Sequence, residues 1–298
     1  MTTTPLPKVI STGLTGLVGS RVAELLADKY NFVDISLDSG VNILNQAELS
    51  RFVANHTDAI CLLHLAAFTD TNSAWDQRGD HSGPCYQVNV VGTQNILQVC
   101  QDHHFPLIHI STDFVFDGTK SGPYIETDTP HPIEWYGETK YLAEKLIQDS
   151  GHPSSILRIA YPYRAKFEPK VDIVRKFIAK FNQNEPLTLF TDQITTPTFI
   201  DDVVSGFDYF ISHPQTGIFH LTASSSQSPY QLGLAIAGEF RFDQSLVHPS
   251  SLAEFRLSQP PTSRPWQMNL AVDNSKARQL GITLSSLTQG LAKLKSQL

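Results

Sequence analysis

Cysteine is scarce. The 298-residue chain has three, Cys61, Cys85 and Cys100, an odd number with no C-x-x-C pair. That excludes a disulfide framework and a cysteine-rich zinc site, and it suits a reducing compartment. Basic charge is in deficit: 22 Lys and Arg stand against 29 Asp and Glu, a net charge of −7 with a pI near 5.8. Nucleic acids and anionic membranes call for the opposite sign, so neither is expected as a partner. No apolar run approaches the about 18 residues of a membrane span, and the best candidate, Ala59 to Phe68, is broken by His64. The segment Met1 to Pro7 lacks both a cationic start and an apolar core, so no secretory signal is expected and a cytoplasmic location is. Internal repeats and low-complexity tracts are absent as well. What remains is 41% hydrophobic and 17% charged, enough to build a sizeable core and incompatible with disorder.

Apolar runs alternate with helical patterns through the first half. Strands are expected at Lys8 to Thr12, Phe32 to Leu37, Ala59 to Leu65, Leu107 to Ile110 and Ser155 to Ile159. Helices are expected after Gly19, at Ala47 to Ala54, as one long element from Gln87 to Cys100, and at Tyr136 to Gln148. This rhythm implies right-handed βαβ units: an α/β fold, a Rossmann-type doubly wound parallel sheet. After Ile159 the rhythm breaks into loops around helices near Ile173 to Phe181, Asp201 to Ile211 and Tyr230 to Phe240, with a strand-like Gly217 to Leu221. A dinucleotide-binding domain is therefore expected over about 1–160 plus about 199–221. A smaller mixed α/β substrate domain is expected to interleave with it, over about 161–198 and about 222–298.

Three motifs carry chemistry. Gly13-Leu-Thr-Gly16-Leu-Val-Gly19 follows a strand and opens a helix, where backbone N–H groups meet a pyrophosphate and a side chain at a glycine would block the approach. Thr15, Leu17 and Val18 belong to that turn. An acidic residue after the second strand should hold the adenosine ribose; Asp34 and Asp38 flank the place and Ser36 stands in it. No Lys or Arg lies between Asn31 and Ser50 to hold a 2′-phosphate, although Arg21 could reach in, so the balance leans to NAD over NADP. Tyr136 and Lys140 form a Y-x-x-x-K pair, one helical turn apart on one face. A fixed cation favours the phenolate of a Tyr whose ordinary pKa is about 10. As a bare pattern the pair is common. Ser111 and Thr112, at the end of a strand upstream, offer a hydroxyl to the same substrate oxygen, Thr112 being the better placed.

Together these residues resemble the extended short-chain dehydrogenase/reductase superfamily and, within it, the dTDP-4-dehydrorhamnose reductase family. The similarity runs through Gly13 to Gly19, Leu65-Ala-Ala-Phe-Thr69, Asn89 to Thr93, Ser111 to Gly118, Pro123 to Glu126, Tyr136 to Lys140, Asp192-Gln193 with Pro197-Thr198, and Arg264-Pro265 followed by Leu270. The resemblance implies a nicotinamide enzyme acting on a nucleotide-linked 4-keto-6-deoxy sugar. It gives Thr112, Tyr136 and Lys140 as the catalytic triad, Lys140 also holding the nicotinamide ribose. It gives Leu65, Ala66 and Ala67 as the adenine-side wall and Asn89 as the support of the site, with Tyr136, Lys140, Asp38 and the glycine turn completing the cofactor set. Thr69, Ser111, Asp113, Phe114, Tyr161, Thr198 and Arg264 fall where the sugar nucleotide is expected, although Arg264 could equally pair with a structural carboxylate.

Departures from the family pattern bear on the substrate. Phe114 replaces a Tyr, Tyr161 stands where Trp is frequent, Met268 replaces a Ser, and Trp75 to Pro84 lengthens a loop. The family's metal-binding carboxylates find no match, so no metal is expected; His103, His104 and His109 lack ligand spacing, and His64 reads as a hydrogen-bonded core residue. The three cysteines read as packing residues. Trp75 could anchor its loop or cap a sugar. Epimerisation with retained NAD keeps the same triad, and a regulatory subunit uses the same fold without catalysis. Dehydration is disfavoured, because Phe114 occupies the place of the acid it needs. A homodimer is possible on this reading.

Overall fold

The computed structural model describes residues 5–298, which form two compact units. Part of the Met1 to Pro7 segment therefore lies outside the described residues. The first unit comprises residues up to Thr112, then Glu134–Leu157 and Phe207–Phe219. Its sheet is built on β1 (Lys8–Thr12), β2 (Asn31–Ile35), β3 (Ala59–His64), β4 (Leu107–Thr112) and β5 (Ser154–Ile159). Strand order is β2-β1-β3-β4-β5, with the strand Gly217–His220 at the far edge. The pairs β1–β2, β1–β3 and β3–β4 are parallel. The order reverses between β1 and β3, and in such a sheet the ligand crevice lies beyond the carboxyl ends of those strands.

Helices α1 (Gly19–Leu26), α2 (Gln46–Ala54), α3 (Thr71–Asp76), α4 (Pro84–Tyr86), α5 (Gly92–His103) and α6 (Trp135–Asp149) belong to this unit. Each buries an apolar stripe: Val22 and Leu26 on α1, Leu49 and Val53 on α2, Ile96, Leu97, Val99 and Cys100 on α5. Ile10, Leu62 and Leu107, in register on β1, β3 and β4, meet the α2 and α5 side chains and Ile147 of α6 in one core. At about 25 cal/mol per Å² this burial is the main force holding the sheet to its helices.

Three local readings need correcting. The expected helix from Gln87 to Cys100 is not uniform: α4 passes into a π-helical stretch, Gln87–Val91, and only then into α5. The wider π turn takes in one extra residue, and such turns concentrate at functional sites. The expected loop from Trp75 begins inside α3, because the Asp70 side chain accepts hydrogen bonds from Asn72 N and Ser73 N, both 3.0 Å, and starts a helix there. Strand β2 also stops at Ile35, where Ser36 and Ser39 exchange side-chain and backbone bonds and close a turn.

The second unit comprises Asp113–Ile133, Arg158–Gly206 and His220–Leu298. It contains β6 (Pro162–Tyr163) paired with β8 (Thr198–Phe199), and β7 (Leu187–Phe190) paired with β10 (Val247–Ser250), all parallel; the edge strand named above is β9. The remaining helices are α7 (Ile173–Asn182), α8 (Ile200–Ser212), α9 (Pro229–Phe240), α10 (Leu252–Ser258), α11 (Ser275–Gln279) and α12 (Leu287–Lys295), and α7, α9 and α12 supply the core of this unit through Phe177, Phe181, Ile236 and Leu291. Among the described residues no helix is long and apolar enough to cross a membrane.

Candidate active site

The chain leaves β1 at Thr12 and turns on Gly13, whose φ is +73°, a value open to glycine at no steric cost. A Cβ on Gly13 would lie 2.6 Å from Ala66 N, and one on Gly19 would lie 2.2 Å from the Gly13 carbonyl oxygen. These two glycines seat α1 directly against the end of β3. Gly16 is different. Beyond the Gly13 oxygen at 3.2 Å, nothing stands within 4 Å of where its Cβ would be. Gly16 and its neighbour Thr15 are exposed, while Leu17 is half-buried and Val18 buried. The helix N-terminus thus presents an open glycine, and its N-cap, Val18, makes no side-chain capping bond. That cradle fits a dinucleotide pyrophosphate.

A buried polar row crosses the sheet beside this turn. Thr12, His64 and His109 are register partners on β1, β3 and β4, each two residues beyond the apolar Ile10, Leu62 and Leu107. Thr12 Oγ1 accepts from Leu65 N (3.1 Å) and Ala66 N (3.0 Å), fixing the backbone as it leaves β3. Its own hydrogen therefore goes to His64 Nδ1 at 2.7 Å. The proton of His64 then sits on Nε2 and reaches Thr93 Oγ1 (3.1 Å), which in turn donates to Asn89 O (2.7 Å). Burial pushes the His64 pKa down to about 3, and the charge of Lys140 adds to this.

Helix α6 carries Tyr136 and Lys140. The Glu134 carboxylate caps it, accepting from Gly137 N at 2.5 Å and Tyr136 N at 3.2 Å, so the helix starts one residue before Tyr136. Lys140 is 1% exposed and donates to Ile110 O (2.7 Å) and His109 Nε2 (3.2 Å). Burial lowers its pKa to about 8, against the opposing pull of the Glu144 carboxylate and the Cys85 thiol. Tyr136 is half-buried and Thr112, the last residue of β4, is buried. The first unit thus brings the glycine turn, Leu65 to Ala67, Thr112, Tyr136 and Lys140 to the carboxyl edge of one sheet.

The side chains of several other candidates are spent within the protein. Asn89, in the π-helical stretch, accepts from Phe68 N (2.8 Å) and donates to Phe68 O (3.2 Å) and Thr139 Oγ1 (3.0 Å). It clamps the segment after β3 to α6. Ser111 donates to buried Glu144 at 2.5 Å. Asp38 is exposed, three residues beyond the end of β2, and Thr69 is exposed before α3. In the second unit Asp113 is buried in a 3₁₀ turn, and the Phe114 and Tyr161 rings lie 6.1 Å apart. Tyr161 holds φ +41°, a strained value for a non-glycine residue of the kind that clusters at functional sites. Thr198 Oγ1 donates to Thr196 O (2.9 Å) and accepts from Ala223 N (3.0 Å); Arg264 lies 4.2 Å over the Trp266 ring. Trp75 packs against the cluster of Ala74, Cys85 and Trp135, with Arg78 4.9 Å over its ring. All three cysteines are buried and unbridged, and no group of three or more His, Cys, Asp or Glu among the described residues is disposed to hold a metal.

Sequence reasoning missed His109, Glu134 and Glu144 as parts of the site. The signal for His109 was present: β3 and β4 each place a histidine two residues after a buried leucine, which in parallel strands sets both on one face.

A parallel sheet reversing at β1–β3, a glycine turn, and a Tyr–Lys pair one turn apart at the same edge define an extended short-chain dehydrogenase/reductase. More closely, the chain belongs to the family described as RmlD substrate binding domain, whose model matches residues 7–298. It is 27% identical over 299 residues to dTDP-4-dehydrorhamnose reductase of Aggregatibacter actinomycetemcomitans, covering 98% of this chain and 99% of that one. It is also 27% identical over 300 residues to methionine adenosyltransferase 2 subunit beta of Xenopus laevis, covering 94% and 84%. In fold it matches dTDP-4-dehydrorhamnose reductase of Bacillus anthracis in complex with NADP, with TM-score 0.88, 24% identity, and 99% and 100% coverage.

Proposed function

We propose that this chain is an NAD(P)H-dependent reductase of a nucleotide-linked 4-keto-6-deoxy sugar, with Thr112, Tyr136 and Lys140 as its catalytic residues. The observation that carries this reading is the buried Lys140, held by Ile110 O and His109 one helical turn from Tyr136, at the edge where the glycine turn opens. When bound, the nicotinamide cofactor would supply the hydride. Tyr136 gives its phenolic proton to the carbonyl oxygen, so that the ketone becomes an alcohol and the phenolate left behind is reprotonated from solvent. The Lys140 ammonium lowers the cost of that phenolate. Thr112 donates a hydrogen bond to the same oxygen. Gly13, Gly16 and Gly19 admit the pyrophosphate. Asp113, Phe114, Tyr161, Thr198 and Arg264 are proposed to shape the sugar-nucleotide site, chiefly through the aromatic faces of Phe114 and Tyr161.

Both nicotinamide cofactors belong in the assay. The absence of Lys or Arg between Asn31 and Ser50 leans to NAD, whereas the matching fold in the Bacillus anthracis reductase holds NADP and Asp38 stands on an exposed turn here. A cytoplasmic location and a homodimer complete the proposal. The test is cofactor oxidation over a panel of nucleotide-linked 4-keto sugars. Turnover that depends on Tyr136 supports the reading; no oxidation with any member of the panel overturns it. The regulatory alternative draws on the Xenopus relative, a named subunit of another enzyme. It is opposed by the intact triad, and isolation in a stable complex with an enzyme, without keto-sugar turnover, would favour it.

A further inference from the structure

We propose that His109 is a positioning residue for Lys140: a neutral imidazole that accepts one ammonium hydrogen and leaves the third as the one offered to Tyr136 and the cofactor ribose. This rests on the reductase reading. Lys140 has three N–H donors. Ile110 O takes one at 2.7 Å and His109 Nε2 a second at 3.2 Å. An ammonium cannot accept, so His109 Nε2 is the bare nitrogen and its proton sits on Nδ1. That Nδ1 is buried with no hydrogen-bond partner among the described residues. A buried unpaired donor is destabilising, so a purely structural role would favour an apolar residue of similar size here. The cost is offset only if the Nε2 lone pair is useful.

Its use follows from what surrounds Lys140. Glu144 and Tyr136 lie on its own helix, His109 comes from β4, His64 from β3 and Cys85 from α4. Glu144 is the carboxylate, and it is engaged by Ser111. A second carboxylate in place of His109 would hold the amine charged across the working range and draw it away from Tyr136. Imidazole offers an acceptor without a charge. It stays neutral because burial comes first and the Lys140 cation second in disfavouring its protonation. The neighbouring His64 ring, 5.2 Å away between centroids, is fixed in its own tautomer by Thr12, so it leaves the Lys140–His109 bond undisturbed.

The test compares His109→Leu, which removes the acceptor, with His109→Gln, whose amide oxygen falls near Nε2. The Lys140 titration is followed by the ¹³Cε signal of labelled lysine in the cofactor-free protein, assigned with Lys140→Met. Losing an acceptor disfavours the ammonium, so in His109→Leu the midpoint falls by about one pH unit, and NADPH binds about tenfold more weakly at about pH 9, above both midpoints. His109→Gln keeps both within about twofold. If His109→Leu does not fold, as judged by circular dichroism, His109→Asn replaces it; its amide sits at the Nδ1 position, out of reach of Lys140, and the same loss is expected. A midpoint in Leu or Asn equal to wild type overturns the proposal, as does a Gln variant as defective as Leu, which would mark a packing role. The titration needs no substrate, so failure of the reductase reading shows separately as a normal midpoint without keto-sugar turnover.

Discussion

A phenol is a poor proton donor or acceptor near neutrality, and in the proposed mechanism Tyr136 acquires its chemistry from one buried amine. Tyr136→Phe is therefore expected to lower turnover by about 10²–10⁴-fold, the usual yield of a positioned acid. Affinity for the reduced nicotinamide cofactor, read by fluorescence titration, should stay within about threefold; a variant that turns over normally would remove this residue from the mechanism. The three glycines separate into two kinds. At Gly13 an added methyl meets Ala66 N at 2.6 Å with φ at +73°, so Gly13→Ala should cost more than about 1 kcal/mol in urea denaturation. At Gly16 the methyl meets only the Gly13 oxygen, at 3.2 Å. Gly16→Ala should therefore fold nearly as well as wild type and lose cofactor affinity instead. Equal stability losses at the two positions would contradict this division.

At the scale of elements, the start of α6 decides where Tyr136 points. The Glu134 carboxylate holds the first backbone N–H groups, including that of Tyr136 itself. Glu134→Ala should cost about 1 kcal/mol, as a lost helix cap does, and reduce kcat further than stability alone explains, while Glu134→Gln, which keeps an acceptor, recovers most of both. Equal kcat in the two variants would show that the cap does not position the phenol. This element was legible in the sequence because its apolar stripe repeats at helical spacing, and so were α1, α2 and the first strands. The placing of Tyr136 and Lys140 on one helix, the pair proposed to be catalytic, was legible for the same reason: its spacing is a local property of that helix. The π-helical turn at Gln87–Val91 was not, since its Gln-Val-Asn-Val-Val fits an ordinary helix and only the Asn89 clamp on Phe68 and Thr139 distinguishes it. Strands β7 and β10 escaped as well, being four residues each with mixed burial and a proline in β10. His109 escaped as a partner because the bond to Lys140 joins residues 31 positions apart.

At the scale of the whole molecule, three histidines among the described residues are buried without charge: His64 and His109 in the first unit, His220 in the second. His220 donates from Nδ1 to Asp273 O (2.9 Å) and presents Nε2 to Arg158, 3.4 Å away, so a second proton would face a guanidinium. Burial is the first cause of each depression; the folded pKa is about 3 for His64 and His220 and well below the ordinary value for His109. Unfolded, all three titrate near 6.5. Above that pH neither state binds the protons and the full stability is present. Below it the unfolded chain takes up three protons that the folded chain refuses, so stability falls as pH falls, by about 1.4 kcal/mol per pH unit for each histidine once it is fully titrated. Summed, the slope approaches about 4 kcal/mol per unit near pH 5, large against a typical total of about 5–15 kcal/mol. Carboxylates held low in the fold, such as Asp192, carry the same sign but act nearer pH 4. Urea midpoints should hence be flat from about pH 8 to 7 and drop steeply between about 6 and 4.5. His220→Asn keeps the donor to Asp273 O and cannot titrate, so it should remove about a third of that slope. An unchanged slope would mean that His220 is protonated in the folded protein and that Arg158 is not the barrier the geometry makes it.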